Sequence, residues 1–339
     1  MQNTYKAVEV ASPGKLNLVT RPVPEPGPRQ VRVRVEAAGI CHSDVATVEA
    51  VFPGIRYPRV PGHEIAGYIE ALGENVSGWK TGQRVGIGWF GGECGHCEPC
   101  RRGDFVNCEN LIISGVTTDG GYAEVVIVES RALASIPDGV TPADAAPLLC
   151  AGVTTYNALR NAKLRAGDLV AIQGIGGLGH LAVQFARRMG FRTVAIARGK
   201  EKEKLARELG AQEYIDSASG DPAEQLHKLG GANAILATAA NSKSQGPLMG
   251  GLAPRGKLIV VGVGSEPIEI NPAQLIFGSR TIQGEVVGTS IDEEDTLDFS
   301  ALQAVRPMIE RVPLEQAAEA YAKMMRNEAR FRMVIDFSL

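Results

Sequence analysis

Long apolar runs are missing. No stretch of this 339-residue chain reaches the ~18 consecutive apolar residues that span a bilayer. The opening Met1-Gln2-Asn3-Thr4-Tyr5-Lys6 has no apolar signal core, so a cytoplasmic location is expected. An excess of either charge is missing too. Lys and Arg number 35 against 38 Asp and Glu, a net charge of −3, which offers nothing to draw nucleic acid or an anionic membrane. Internal repeats and low-complexity segments are absent, which excludes solenoids and repeat arrays. What is present is the make-up of a soluble globular protein, 44% hydrophobic and 22% charged. The chain is too long for one ordinary core, so two domains are expected.

The periodicity changes near residue 150. Before it, short β segments are broken by Gly and Pro. Val31-Arg32-Val33-Arg34-Val35 alternates as a half-buried strand does, and Arg84–Gly88 and Ala123–Val128 are further candidates. These suggest a compact, barrel-like β domain over 1–150. From 151 to 287, apolar strands (169–172, 193–197, 214–215, 234–237, 258–261) alternate with helices predicted over 177–189 and 201–209. That rhythm means a parallel sheet covered on both faces, a doubly wound α/β domain. Over 288–339 an acidic run, Asp292-Glu293-Glu294-Asp295, opens a helix, as negative charge suits a helix N-terminus. A last strand near 333–337 is expected to return to the first domain.

The six cysteines fall into two groups. Cys94-x2-Cys97-x2-Cys100-x7-Cys108 can surround one tetrahedral ion, and zinc accepts four sulfurs readily. An iron–sulfur cluster shares the ligand type, and a disulfide reading would need an oxidising compartment. With all four positions filled by protein, this zinc would be structural; His96, inside the loop, is expected to be solvated. The other two are Cys41, in Gly39-Ile40-Cys41-His42-Ser43-Asp44, and Cys150. With His63, in Pro61-Gly62-His63-Glu64, they make a three-ligand zinc set with a fourth position open for chemistry. The choice of these three rests on a known ligand pattern and not on their spacing.

Gly174-Ile175-Gly176-Gly177-Leu178-Gly179 follows a predicted strand and opens a predicted helix, the context that gives G-x-G-x-x-G its meaning. Gly174 would allow the tight turn, Gly176 the approach of a pyrophosphate, and Gly179 close helix–strand packing. An acid at the end of the next strand would favour NAD. Here Ala197 is followed by Arg198-Gly199-Lys200, two cations that would take a 2′-phosphate, so NADP is expected. The alternative is that both cations merely start a solvated helix.

Taken together and in this order, Cys41-His42-Ser43-Asp44, Gly62-His63-Glu64, the four-cysteine loop, Cys150 and the glycine fingerprint resemble the medium-chain, zinc-dependent alcohol dehydrogenases, especially the bacterial NADP-type, cinnamyl-alcohol-dehydrogenase-like branch. The resemblance spans essentially the whole chain. It implies a GroES-like catalytic β-barrel domain joined to a Rossmann domain. Cys41, His63 and Cys150 would hold the catalytic zinc, with Glu64 just behind the metal. Asp44 would accept a hydrogen bond from His63, and Ser43 would bond the alcohol oxygen and pass on its proton. His42 and Arg332 would lie near the cofactor pyrophosphate. Thr154 would pack by the nicotinamide, and Val261, Gly262 and Val263 would line its far side. Phe52 and Trp89 would wall the substrate pocket. Where many relatives end the proton relay in a second histidine, this chain has Ala46.

The reaction implied is hydride transfer between a primary alcohol or aldehyde and NADP(H), with two zinc ions per chain. A homo-oligomer, dimer or tetramer, is implied too, with strands near 258–263 and 280–287 available to pair. A polyol dehydrogenase or NAD-dependent enzyme of the same fold is the nearest alternative. A zinc-free quinone reductase, or a nucleotide-binding protein without chemistry, would have lost the ligands that are present here.

Overall fold

The computed structural model describes residues 3–339; the first two residues of the expected N-terminal domain lie outside them. The chain divides into two compact units. One runs to Val153 and resumes over Val287–Leu339; the other is Thr154–Val286. The first therefore extends three residues past the expected boundary at 150. The cause is local: Cys150 sits in a π-type turn, Leu148–Gly152, that continues directly into a helix, Val153–Asn161.

In chain order the first unit contributes β1 (Thr4–Ser12), β2 (Lys15–Pro22), β3 (Gln30–Ile40), β4 (Ile65–Leu72), β5 (Arg84–Ile87), β6 (Phe90–Gly92), β7 (Ile112–Ile113), β8 (Val125–Glu129) and β9 (Ala134–Ser135). The second contributes β10 (Leu169–Gln173), β11 (Arg192–Ala197), β12 (Glu213–Asp216), β13 (Ala232–Ala237), β14 (Leu252–Val260) and β15 (Thr281–Gly284). The chain then returns to the first with β16 (Ile309–Val312) and β17 (Arg332–Asp336).

β3 is the hub of the first unit. It pairs antiparallel with β4, β8 and β17. Its first half alternates as expected: Val31, Val33 and Val35 are buried, while Arg32 and Arg34 turn outward and both bond Glu70 on β4 at 2.7 Å. Burying each valine is worth roughly 1.5–3 kcal/mol. The second half, Ala37–Ile40, is buried on every residue. The strand thus runs from a solvated face into the interior and delivers Cys41 there. β17 lies beside it with Met333 opposite Ile40, which brings Arg332 to the same end.

The six strands of the second unit pair in parallel, in the order β12-β11-β10-β13-β14-β15. That order is 3-2-1-4-5-6 in chain sequence, the dinucleotide-binding arrangement, with its switch point between β10 and β13. β10 is buried at every residue, as a central parallel strand must be. The helix predicted from 177 begins at Gly179 (Gly179–Arg188), because the glycine loop occupies what would be its first turn. The predicted strand over 258–261 stops at Val260, so Val261–Val263 form a connection and not a strand. Among the described residues no helix is long and apolar enough to cross a membrane.

Candidate metal centres and nucleotide loop

Cys41 caps a single 3-10 turn, His42–Asp44, which folds Asp44 back under it. The Cys41 amide donates to Asp44 Oδ2 at 2.9 Å, and the Tyr122 hydroxyl donates to the same oxygen at 2.7 Å. Oδ1 faces His63 Nδ1 at 3.0 Å. That contact turns Nδ1–H towards Asp44 and leaves Nε2, buried and with no hydrogen-bond partner among the described residues, as the ring nitrogen that can offer a lone pair to a metal. Gly62 is required beside it: φ is +102°, and a Cβ there would come within 2.5 Å of the Tyr122 ring. The His63 ring stands edge-on to Trp89, centroids 4.9 Å apart.

Donor atoms of Cys41, His63, Glu64 and Cys150 all lie within 4.8 Å of one another, and all four residues are buried. The Cys41 and Cys150 sulfurs are 3.8 Å apart. Tetrahedral coordination at the usual Zn–S length of about 2.3 Å sets two sulfurs about 3.8 Å apart, so the donors fit a zinc ion. The Cys150 thiol bonded to Cys41 holds Cys41 well below the usual thiol range and pushes Cys150 up. Behind them, burial pushes the Glu64 carboxyl up to about 7 even though Arg332 pairs with its Oε1. Oε2 has no partner among the described residues. Arg332, expected near the pyrophosphate, is thus buried against Glu64.

The second group lies between β6 and β7. Sulfurs of Cys94, Cys97, Cys100 and Cys108 lie within 4.8 Å of one another, with Cys97 and Cys108 at 3.9 Å. Amides of Cys94 and Asn110 both donate to the Cys108 sulfur at 3.3 Å, as amides do to a thiolate ligand. Among the described residues the cysteines cluster with one other apolar side chain, Leu111. All six cysteines are free, which removes the disulfide alternative. His96 is exposed and bonds the Cys94 carbonyl through Nδ1.

In the second unit the glycine loop joins β10 to helix Gly179–Arg188, with Leu178 as the residue before it. Gly174 has φ +92°, and a Cβ on Gly179 would stand 1.7 Å from the Gly174 carbonyl. A Cβ on Gly176 would meet nothing within 4 Å, so that face leaves room for a pyrophosphate at the helix N-terminus. Ala197 ends β11 buried; Arg198 and Lys200 after it are exposed, and neither side chain has a partner among the described residues. The turn between them is fixed from β12, a feature that sequence reading missed. Asp216 Oδ1 accepts the Gly199 amide at 2.7 Å, and the Tyr214 hydroxyl donates to the Gly199 carbonyl. Also unforeseen is Lys202, whose Nζ lies 3.0 Å from the Ile175 carbonyl in the glycine loop. Thr154 is buried in helix Val153–Asn161. Amides of Val261 and Gly262 both bond the Ala237 carbonyl, and Val263 projects, 86% exposed.

His42 and Ser43 are exposed on the turn after Cys41. Phe52 borders a cavity of about 270 Å³ shared with Ile55, Arg56, Val116 and Thr117. Ile55 and Val116 also pack with Ala46 and Trp89, and Trp89 packs in turn on the cluster of Cys41 and Cys150. Trp89 therefore stands beside the metal donors, while Phe52 borders a separate cavity whose lining includes Arg56 and Arg59.

A thiolate–imidazole centre in one unit and a dinucleotide loop in the other define a zinc- and nicotinamide-dependent oxidoreductase. Residues 27–138 match the alcohol dehydrogenase GroES-like domain, and 177–302 match the zinc-binding dehydrogenase domain. Alcohol dehydrogenase notN of Aspergillus sp. (strain MF297-2) is 43% identical over 99% of this chain and 98% of its own. The crystal structure of AibC superposes with a TM-score of 0.93 at 31% identity, covering 99% of this chain and 96% of that one. CAD from Helicobacter pylori complexed with NADP(H) gives 0.88 at 28% identity, covering 100% and 99%. Acetophenone reductase from Geotrichum candidum in complex with NAD gives 0.86 at 28%, covering 99% and 98%. The chain belongs to the medium-chain, zinc-dependent alcohol dehydrogenase family, with its GroES-like and Rossmann-type domains.

Proposed function

We propose that this zinc alcohol dehydrogenase is an NADP-preferring enzyme of the primary alcohol–aldehyde pair, with catalytic zinc on Cys41, His63 and Cys150 and structural zinc on Cys94, Cys97, Cys100 and Cys108. The observation that carries the metal assignment is the bare, buried Nε2 of His63 among two sulfurs. Bound there, zinc supplies Lewis acidity to the substrate oxygen, and the nicotinamide supplies the hydride chemistry. Asp44 and Tyr122 hold the His63 tautomer. Glu64 and Arg332 balance charge behind the donors. Ser43, on the exposed turn after Cys41, hydrogen-bonds the reacting oxygen and takes or returns its proton; Ala46 carries it no further, so water or another group completes the transfer. Phe52 and Trp89 hold the carbon skeleton. His42, Thr154 and Val261–Val263 line the cofactor.

Structural neighbours are found with either cofactor, so the preference has to come from this chain's own residues. Unpartnered Arg198 and Lys200, and an Asp216 already engaged by backbone amides, support NADP. A charge-assisted bond to the 2′-phosphate is worth roughly 1.5–3 kcal/mol, and the low end gives about tenfold. The test is the ratio of kcat/KM for NADP and NAD, in wild type and in Ala197→Asp/Arg198→Ala, at two salt concentrations. Wild type is expected to favour NADP about tenfold or more and the double variant NAD. A wild-type ratio favouring NAD refutes the cofactor; a preference that survives both changes refutes the residues. Metal analysis of unchelated protein is expected to find two zinc ions per chain.

A further inference from the structure

One buried acid has no place in the account above. Glu293 lies in the first turns of helix Ser290–Gln303, within a run of four acids that looks like a solvated helix start. Its neighbours behave that way. Asp292 accepts the Thr289 amide at 2.8 Å and caps the helix, and Glu294 accepts the Ser135 amide at 2.7 Å. Glu293 is instead 0% exposed, and neither carboxyl oxygen has a hydrogen-bond partner of good geometry among the described residues.

Its surroundings are specific. A Cβ built on Gly88 would lie 2.0 Å from Glu293 Oε1 and 2.4 Å from the Leu149 carbonyl oxygen. The acid therefore fills the place of a side chain at residue 88 and faces the peptide that joins Leu149 to Cys150. Gly88 is followed by Trp89, whose indole stands against His63. An isolated carboxylate in such a place is strongly disfavoured. Burial accordingly pushes Glu293 well above the usual carboxylate range, against some help to the ionised form from the Gly88 amide. The acid form has one O–H to donate.

We propose that Glu293 is a positioning residue for the catalytic metal site, its carboxyl wedged between Gly88 and the Leu149 carbonyl so that the Cys150 turn keeps one geometry. It acts as donor to the Leu149 oxygen and ties the start of the helix to that turn. The turn, Leu148–Gly152, is of π type, a form found mostly as short interruptions of α-helices and often at functional sites. The inference rests on Cys150 being a zinc ligand.

The test uses full-length zinc-loaded protein with Glu293→Gln or Glu293→Leu. Zinc transfer to a chromophoric chelator is followed in time, with Tm as a second readout. Gln keeps a donor and should release zinc at the wild-type rate. Leu fills the space without one, and one zinc per chain should leave about ten- to a hundredfold faster, the scale for losing a partner that orients a ligand. The other zinc should keep its rate and act as internal control. A Leu variant that holds both ions like wild type overturns the inference, as does a Gln variant that loses one as fast as Leu. If the Leu variant does not fold, Glu293→Asp replaces it: faster release supports the inference and an unchanged rate overturns it. Wild-type protein without zinc would refute the metal assignment itself, a separate result.

Discussion

The two cysteine groups are built in opposite ways. The lobe of Cys94, Cys97, Cys100 and Cys108 takes its donors from one short loop and has almost no apolar filling besides Leu111. The site of Cys41, His63 and Cys150 gathers donors from distant parts of the chain, and each is held by protein. Asp44 and Tyr122 fix the imidazole, β3 carries Cys41, and the Leu148–Gly152 turn carries Cys150. Where sequence keeps ligands close together, the ion itself can serve as the core. Where ligands are scattered, the fold must be complete before the ion has a seat, and hydrogen bonds to the ligands do the ordering.

That contrast is broken most directly by ligand removal. His63→Ala is expected to abolish measurable turnover while lowering Tm less than loss of a lobe ligand does, because the β3–β4–β17 core remains packed around the lost ring. A large fall in Tm would show that this site, too, is held together by its metal. Cys100→Ser should do the reverse. The lobe has little else to fold around, and a loss of about 3–5 kcal/mol lowers Tm by roughly 10 °C. Circular dichroism melts beside initial rates separate the two. An unchanged Tm would mean that the lobe is ordered by its own hydrogen bonds.

Smaller changes sharpen the comparison. Ser43→Ala leaves both donor sets intact and should lower kcat about 10²–10⁴-fold, the range for a lost acid–base group. Near-normal turnover removes Ser43 from the proton path. Tyr122→Phe removes one hydroxyl from Asp44 and should weaken zinc at the catalytic site about tenfold, with no effect on the four-cysteine lobe. Competition with a chelator reads both sites in one experiment. Equal effects on the two would deny that the hydroxyl acts through Asp44 and His63.

Much of this was legible in the sequence because the signals are local. Alternation in Val31–Val35, the cysteine spacing and the glycine run each describe neighbours along the chain. Tyr122 was not legible, since nothing near it announces that its hydroxyl closes on Asp44, brought close only when β8 pairs with β3. Glu293 was hidden for another reason. It stands in a run of acids whose other members do what acids at a helix start usually do, so only packing distinguishes it. The turn fixed by Asp216 and Tyr214 went unseen because attention to cofactor choice falls on the end of β11, whereas the support comes from the next strand.

The pairing of Ile40 with Met333 has a consequence in time. A ribosome adding about 5–20 residues per second needs on the order of half a minute between those two positions. Until the later one emerges, a nascent chain holds Cys41 at the edge of an unfinished sheet, without the guanidinium that will sit behind it. The inserted dinucleotide unit, Thr154–Val286, can finish first. Vectorial synthesis therefore puts the Rossmann-type unit ahead of the cysteine–histidine donor set, and a stalled ribosome would carry a chain with a nucleotide fold and an unfinished donor set.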